Sequence, residues 1–174
     1  MRKALFLDRD GIINIDIGYA YKAEDIIFVN GIFKVVRKAN LMNYLVIVVT
    51  NQSGIGRHKY TIKQFKDLSN WMRNEFKIRE AIIDNIYFSP YHPIHGVGKY
   101  KKDSFCRKPK PGMLLRAKRE YNIDIEGSIM IGDKISDMEA AKNAGIKKLF
   151  LYNNNLDYDK AKKIKNLYEI IRYL

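Results

Sequence analysis

Two aspartates one residue apart, Asp8 and Asp10, close the short segment Phe6-Leu7-Asp8-Arg9-Asp10-Gly11. Carboxylates at this spacing can face one pocket, or one can hold a metal ion while the other moves a proton. The same pattern also suits a turn, because Asp-x-Asp-Gly supplies the acceptors and the glycine that turns use. Recurrence downstream favours chemistry. Thr50 and Asn51, then Arg107 and Lys108, then Asp133, Lys134 and Asp137 follow in that order. Together they form the inventory that phosphoryl transfer demands: a nucleophile, hard ligands for Mg²⁺, cations and donors for the equatorial oxygens, and an acid/base for the leaving group. No Gly-x-x-x-x-Gly-Lys-Ser/Thr loop occurs, which argues against a nucleotide kinase or ATPase.

Something must carry these sets to one place, and the apolar pattern says what. Residues 4–7 are continuously hydrophobic, as in a strand covered on both faces. Residues 45–49 are β-branched and read as a central strand, and further strands are expected at 85–88, 128–131 and 148–152. Amphipathic helices are expected between them, over 31–43, from Thr61 onward, over 111–122, and from a Ser136/Glu139 capping box to a stop at Gly145. A terminal helix is expected over 160–173. Thr61 and Gln64 make another capping box, and Phe65, Leu68, Trp71, Met72 and Phe76 follow at helical spacing as a core stripe. Residues 12–25, 51–56 and 89–110 read as loops. The alternation predicts an α/β fold, a Rossmann-like, mostly parallel sheet with helices on both faces, as one domain over 1–174. Each polar set then lies at a strand's C-terminal end, where open α/β sheets bind ligands.

Composition narrows the setting. With 174 residues and 47% hydrophobic content, the chain can bury one sizeable core. No apolar run approaches the roughly 20 residues of a membrane span, and Asp8 and Asp10 interrupt the N-terminal run too early for a signal peptide. The single Cys106 excludes an intramolecular disulfide and fits a reducing cytoplasm. The net charge of +13 admits three readings: solvated lysine faces, attraction of an anionic small substrate, or nucleic-acid binding. No Lys/Arg tract interleaved with aromatics marks a nucleic-acid surface, so the first two are preferred. A monomer is the default.

The order Asp8-x-Asp10, Thr50, Lys108, Gly132-Asp133-x-x-x-Asp137 resembles the four motifs of the haloacid dehalogenase (HAD) superfamily of phosphatases, over residues 3 to about 152. Val49-Thr50-Asn51-Gln52-Ser53-Gly54-Ile55, Cys106-Arg107-Lys108-Pro109-x-Pro111-Gly112-Met113 and Ile131-Gly132-Asp133-Lys134 are similar to one branch, which holds heptose-bisphosphate phosphatases and histidinol-phosphatase. Gly18-Tyr19 and Trp71-Met72 point within it to the heptose enzymes. The resemblance implies Asp8 as nucleophile and Asp10 as acid/base, with its backbone carbonyl on Mg²⁺. It implies Thr50 and Lys108 on the phosphoryl oxygens, and Asp8, Asp10 and Asp133 as the metal set. Asp16, Gly18, Tyr19, Asn51, Gln52, Ser53, Arg107 and Lys134 would line the substrate. Lys134 and Asp137 would also orient the catalytic residues and the substrate. Asn51 and Ser53 also suit plain loop bonding, Arg107 a surface cation, and Asp137 a first-turn helix acid.

The resemblance also exposes a departure. The heptose branch carries a structural zinc clip, patterned Cys-x-His-x-Pro and Cys-x-Cys-Arg-Lys-Pro. This chain reads Ser89-Pro90-Tyr91-His92-Pro93 and Ser104-Phe105-Cys106-Arg107-Lys108-Pro109, so only Cys106 stands on a ligand position. A zinc clip is therefore not expected, and a rearranged site from His92, His95, Asp103 and Cys106 is the alternative. Packing by Tyr91, Tyr100 and Phe105 with the prolines is expected to hold the loop, which then orders fully on substrate binding. The implied activity is Mg²⁺-dependent removal of the 7-phosphate of heptose bisphosphate for nucleotide-activated heptose and lipopolysaccharide, without a large cap domain. The alternatives are a histidinol-phosphate or other sugar-phosphate monoesterase, and, from the charge, a nucleic-acid end phosphatase.

Overall fold

The computed structural model describes residues 1–152 and 155–174. Six parallel strands form one sheet in the order β3-β2-β1-β4-β5-β6, with β1 Arg2–Leu7, β2 Leu45–Asn51, β3 Asn85–Ser89, β4 Ile123–Gly132, β5 Lys148–Leu151 and β6 Lys162–Lys163. Helices α1 (Ile32–Leu41), α3 (Ile62–Ile78), α4 (Gly112–Tyr121) and α5 (Ile135–Ala144) connect them, and a single turn of helix, α2 (Ser53–Gly56), follows β2. The expected α/β sheet, covered on both faces, is what forms.

Side-chain alternation along β1 shows how the core divides. Leu5 and Leu7 join Val46 and Val48 under α1 and the Met72/Phe76 end of α3. Ala4 and Phe6 join Leu45, Ile47 and Val49 on the opposite face, under Met113 and Leu114 of α4 and Met138 of α5. Burying both faces is why these strands read as unbroken apolar runs. The α3 stripe is core as expected, and its Thr61/Gln64 box is formed, the Thr61 hydroxyl accepting from Gln64 N at 3.1 Å. Of the described residues, no helix is long and apolar enough to cross a membrane.

Three expectations change. Strand β4 begins at Ile123, because Asp124, Glu126 and Gly127 disguise an irregular early stretch that pairs with Arg2 and Lys3. Ser128 holds that bulge, accepting from Ala4 N and donating to Asp124 O. Helix α5 starts at Ile135 with Lys134 as N-cap, its N–H bonded to Asp137 Oδ2, so the Ser136/Glu139 box does not form. The terminal helix is replaced by β6 and a 3₁₀ segment over Leu167–Tyr173. Parallel pairing of Phe150 with Lys162 and Leu151 with Lys163 continues the sheet past β5, and two exposed lysines keep this edge from pairing further.

Candidate active site

The strand order reverses direction between β1 and β4, the crevice where doubly wound sheets place their ligands. Asp8 leaves β1 there, its N–H bonded to Ile131 O at 3.1 Å, and Asp133 leaves β4. Gly11 brings the first loop against Asp133: its φ is +90°, and a Cβ on it would lie 2.3 Å from Asp133 Oδ2. Both the conformation and the space exclude a side chain.

Lys108 reaches into this crevice from the loop after β3 and is 2% exposed. Its Nζ contacts Asp8 Oδ1 at 2.9 Å, Asp137 Oδ1 at 2.6 Å and the Val49 carbonyl at 2.8 Å. Burial pulls the lysine down, but Asp137 and Asp8 outweigh it and hold the ammonium above its usual range. Burial pushes the Asp8 carboxyl up against the opposing pull of Lys108. Asp133 is raised to about 7, first by burial and then by the charge of Asp8. Asp8, Asp133 and Asp137 each offer an oxygen, all within 4.8 Å of one another. One ammonium among three carboxylates leaves surplus negative charge in a partly dehydrated crevice. A hard divalent cation fits that donor set.

Asp10 faces a different environment. Its carboxylate accepts from Arg9 Nε and an Arg9 terminal nitrogen, each at 3.0 Å, from Asn14 Nδ2 at 3.0 Å and from Gln52 Nε2 at 2.9 Å. The same Gln52 nitrogen donates to Thr50 Oγ1 at 2.8 Å, and Gln52 Oε1 accepts from the Tyr60 hydroxyl. Gln52 is thus buried support for Asp10 and Thr50 rather than an exposed lining residue. Asn51 is likewise turned to the backbone, its side-chain amide exchanging two hydrogen bonds with Lys108 N and O at 3.1 and 3.0 Å. That clamp places Lys108. Asp137 is fully buried, capping α5 and contacting Lys108 together.

The remaining expected residues form the rim. Asp16 pairs with Lys134 Nζ at 3.0 Å and accepts from Gly18 N at 2.9 Å. Those donors outweigh its burial and hold its carboxyl below the usual range. Gly18 has φ +94°, a conformation that favours glycine. Tyr19 accepts from Arg57 at 3.1 Å and its ring lies beside Gly54. Arg107 donates to the Tyr91 carbonyl at 2.9 Å; burial and the charge of Arg57 both lower its pKa. Ser53 opens α2 and its carbonyl accepts from Arg57 N.

Two of the other zinc-clip positions, Ser89 and Ser104, meet Cys106 with different chemistry. Cys106 Sγ lies 3.3 Å from Ser89 Oγ and 3.2 Å from Ser104 Oγ. His92 and His95 sit ring beside ring, with His92 Nδ1 accepting from the N–H groups of Ile94 and His95, and Asp103 pairs with Lys110. Among the described residues the one group of three or more candidate metal ligands is Asp8, Asp133 and Asp137; the rearranged His/Asp/Cys group is not brought together.

The HAD-hydrolase-like family model matches residues 105–169, which carry Lys108 and Asp133. Over 144 residues, 83% of this chain and 76% of the relative, the sequence is 49% identical to D-glycero-alpha-D-manno-heptose-1,7-bisphosphate 7-phosphatase of Burkholderia mallei. Over 172 residues, 98% of this chain and 95% of the relative, it is 46% identical to the enzyme of the same name from Campylobacter jejuni. The chain belongs to the HAD-like phosphatase family. Among solved structures, D,D-heptose 1,7-bisphosphate phosphatase from B. bronchiseptica, complexed with magnesium and phosphate, matches with a TM-score of 0.83 at 25% identity, over 98% of this chain and 96% of the other.

Sequence reasoning about this HAD-like phosphatase missed four residues around the site: Arg9, Asn14, Arg57 and Tyr60. Arg9 is 2% exposed and also bonds the Ala20 carbonyl. A cation between two aspartates at a strand end was a readable signal, since a buried charge needs such partners. Tyr60 carried no signal, because nothing in its spacing connects it to Gln52.

Proposed function

We propose that this HAD-like phosphatase hydrolyses the 7-phosphate of D-glycero-D-manno-heptose 1,7-bisphosphate through a phospho-aspartate on Asp8, with Mg²⁺ bound. The observation that carries the substrate is the 46% identity to a heptose-bisphosphate phosphatase across 98% of the chain. The site supports the chemistry. An Asp8 carboxylate oxygen attacks phosphorus as the bond to the sugar C7 oxygen breaks, and Asp10 gives that oxygen its proton. Asp10 then takes a proton from water, whose oxygen attacks the phospho-aspartate, releasing inorganic phosphate and restoring Asp8. Lys108, 2.9 Å from Asp8, favours the ionised nucleophile and, with Thr50, meets the charge on the phosphoryl oxygens. Asp8, Asp133 and the Asp10 carbonyl would hold Mg²⁺, which when bound neutralises phosphoryl charge. The family relation and the crowded carboxylates support that assignment.

Substrate selection falls to the rim. Asp16, Gly18, Tyr19, Ser53, Arg107 and Lys134 face the polar sugar and its second phosphate, while Asn51 and Gln52 act from behind. Arg107 and Lys134 at the rim support the anionic-substrate reading of part of the +13 charge. The product would enter synthesis of nucleotide-activated heptose for lipopolysaccharide in the cytoplasm. Phosphate release from each anomer of the bisphosphate, with Mg²⁺ or EDTA and for Asp8→Asn, tests this reading. Fast Mg²⁺-dependent release is expected; preference for histidinol phosphate would refute the heptose assignment.

A further inference from the structure

We propose that Tyr60 is a positioning residue for phosphoryl transfer, acting through the side-chain amide of Gln52 on Asp10 and Thr50 together. The inference rests on the reading above, in which those two residues meet the leaving group and the phosphoryl oxygens. Gln52 is 2% exposed and sits in the turn between β2 and α2. Its Nε2 donates to Asp10 Oδ2 at 2.9 Å and to Thr50 Oγ1 at 2.8 Å. A glutamine amide has nearly the same shape in its two orientations, so its partners decide which end carries the hydrogens. Only one orientation serves here. With the amide turned over, its carbonyl oxygen would oppose the Asp10 carboxylate, acceptor against acceptor. The Tyr60 hydroxyl supplies the complementary contact by donating to Oε1. Without it, a buried acceptor would lose its partner, a penalty that swinging the amide away relieves.

Tyr60 is built to stay in place. Its ring packs with Ile55 and Phe65 and stacks on Tyr21 at 5.7 Å between centroids. It also lies over the bare backbone of Gly54, where a Cβ would fall 2.3 Å from Tyr60 Cε1. Burial pushes the phenol up to about 12, so it remains a donor throughout the range in which proteins work. The consequence reaches Thr50: a hydroxyl that accepts from Gln52 keeps its own hydrogen for another acceptor, and the phosphoryl oxygen is the one the reaction brings. Tyr60 and Gln52 therefore orient one acid/base and one phosphoryl donor at once, without touching substrate.

The test compares Tyr60→Phe, Gln52→Ala and the double variant, on heptose bisphosphate and on p-nitrophenyl phosphate. The side-chain amide ¹⁵N–¹H signals of Gln52 are followed by NMR in the proteins that retain it. Tyr60→Phe is expected to lower kcat about 5- to 30-fold, as the loss of about 1–2 kcal/mol of orientation implies, with KM held within about twofold. Tyr60→Phe should then do nothing more in the Gln52→Ala background, and the Gln52 amide should shift and exchange faster with solvent in Tyr60→Phe. Raised KM at unchanged kcat, additive effects of the two substitutions, or an undisturbed amide would each overturn the inference and leave the phosphatase reading standing. A wild-type protein idle on both esters would instead overturn that reading, and the positioning role with it.

Discussion

At the β1–β4 switch point, three carboxylates crowd around one buried ammonium, whereas the loop from Ser89 to Arg107 is held by hydroxyls, a thiol and aromatic rings. The first region is costly to assemble and depends on its cation, because removing Lys108 leaves buried carboxylates without compensation. The second is made mostly of neutral contacts worth about 1 kcal/mol each, with its charged contacts, Asp103–Lys110 and Arg107 to the Tyr91 carbonyl, partly solvated. On the proposed function, one region carries the reaction and the other the surface that fits the substrate. Substitutions should therefore separate by region, in size and in which kinetic constant they move.

The largest effect is expected at Asp8. Asp8→Asn removes the proposed nucleophile and should lower phosphate release by about a thousandfold or more. It also removes one negative charge from a cluster with a surplus, so the melting temperature should hold or rise. Loss of folding in this variant would contradict the electrostatic account of the crevice. Lys108→Met tests the same account from the opposite side. It leaves Asp8 and Asp137 buried without their cation, which should cost about 3–5 kcal/mol and lower the melting temperature by about 10 °C. Unchanged melting would show that the carboxylates had simply taken up protons.

An intermediate effect is expected with pH. The folded value of Asp133, about 7, lies above its ordinary 3.8, so between those values the folded state holds a proton that the unfolded chain has lost. Stability of the metal-free protein from this group is therefore full below about pH 4 and falls as pH rises toward 7. Above that, the bare carboxylate adds to the surplus that Mg²⁺ relieves. Saturating Mg²⁺ should raise the melting temperature by about 5–10 °C near pH 8 and much less near pH 5. A gain independent of pH would place the ion elsewhere.

The two regions also differed in how far the sequence disclosed them. Asp8, Thr50 and Asp133 were legible because each follows an apolar strand, and strand ends of a parallel sheet converge. Lys108 follows a long loop rather than a strand; its charge put it in the phosphoryl-transfer inventory, but its role on the phosphoryl oxygens came from the family resemblance. Gln52 was assigned to the substrate for want of any sign that its amide turns back to Asp10 and Thr50, whereas loop bonding was an open reading for Asn51, whose amide turns to the Lys108 backbone. Such contacts depend on side-chain direction, which spacing does not encode. The same limit hid β6: Lys162 and Lys163 read as helix, and only the open edge of β5 makes them a strand.

The smallest effect is expected in the loop, and it bears most directly on the comparison. Ser89→Ala removes the acceptor of the Cys106 thiol at the end of β3. A thiol is a weak donor, so the loss should be about 1 kcal/mol or less, with kcat unchanged. The loop carries Arg107, however, whose side chain is tied to the Tyr91 carbonyl. Loosening it should raise KM for the bisphosphate a few fold and speed proteolysis within 91–106, and a phosphate analogue should reverse the proteolysis. Ser89→Cys, Tyr91→His and Ser104→Cys made together restore the zinc-clip pattern around Cys106. Zinc binding by that variant, with slower loop cleavage and unchanged kcat, would show that the loop had kept the clip's geometry while exchanging a metal for hydrogen bonds. If zinc instead raised kcat, loop order would be limiting the chemistry, and the two regions would not be separable in the way their contacts imply.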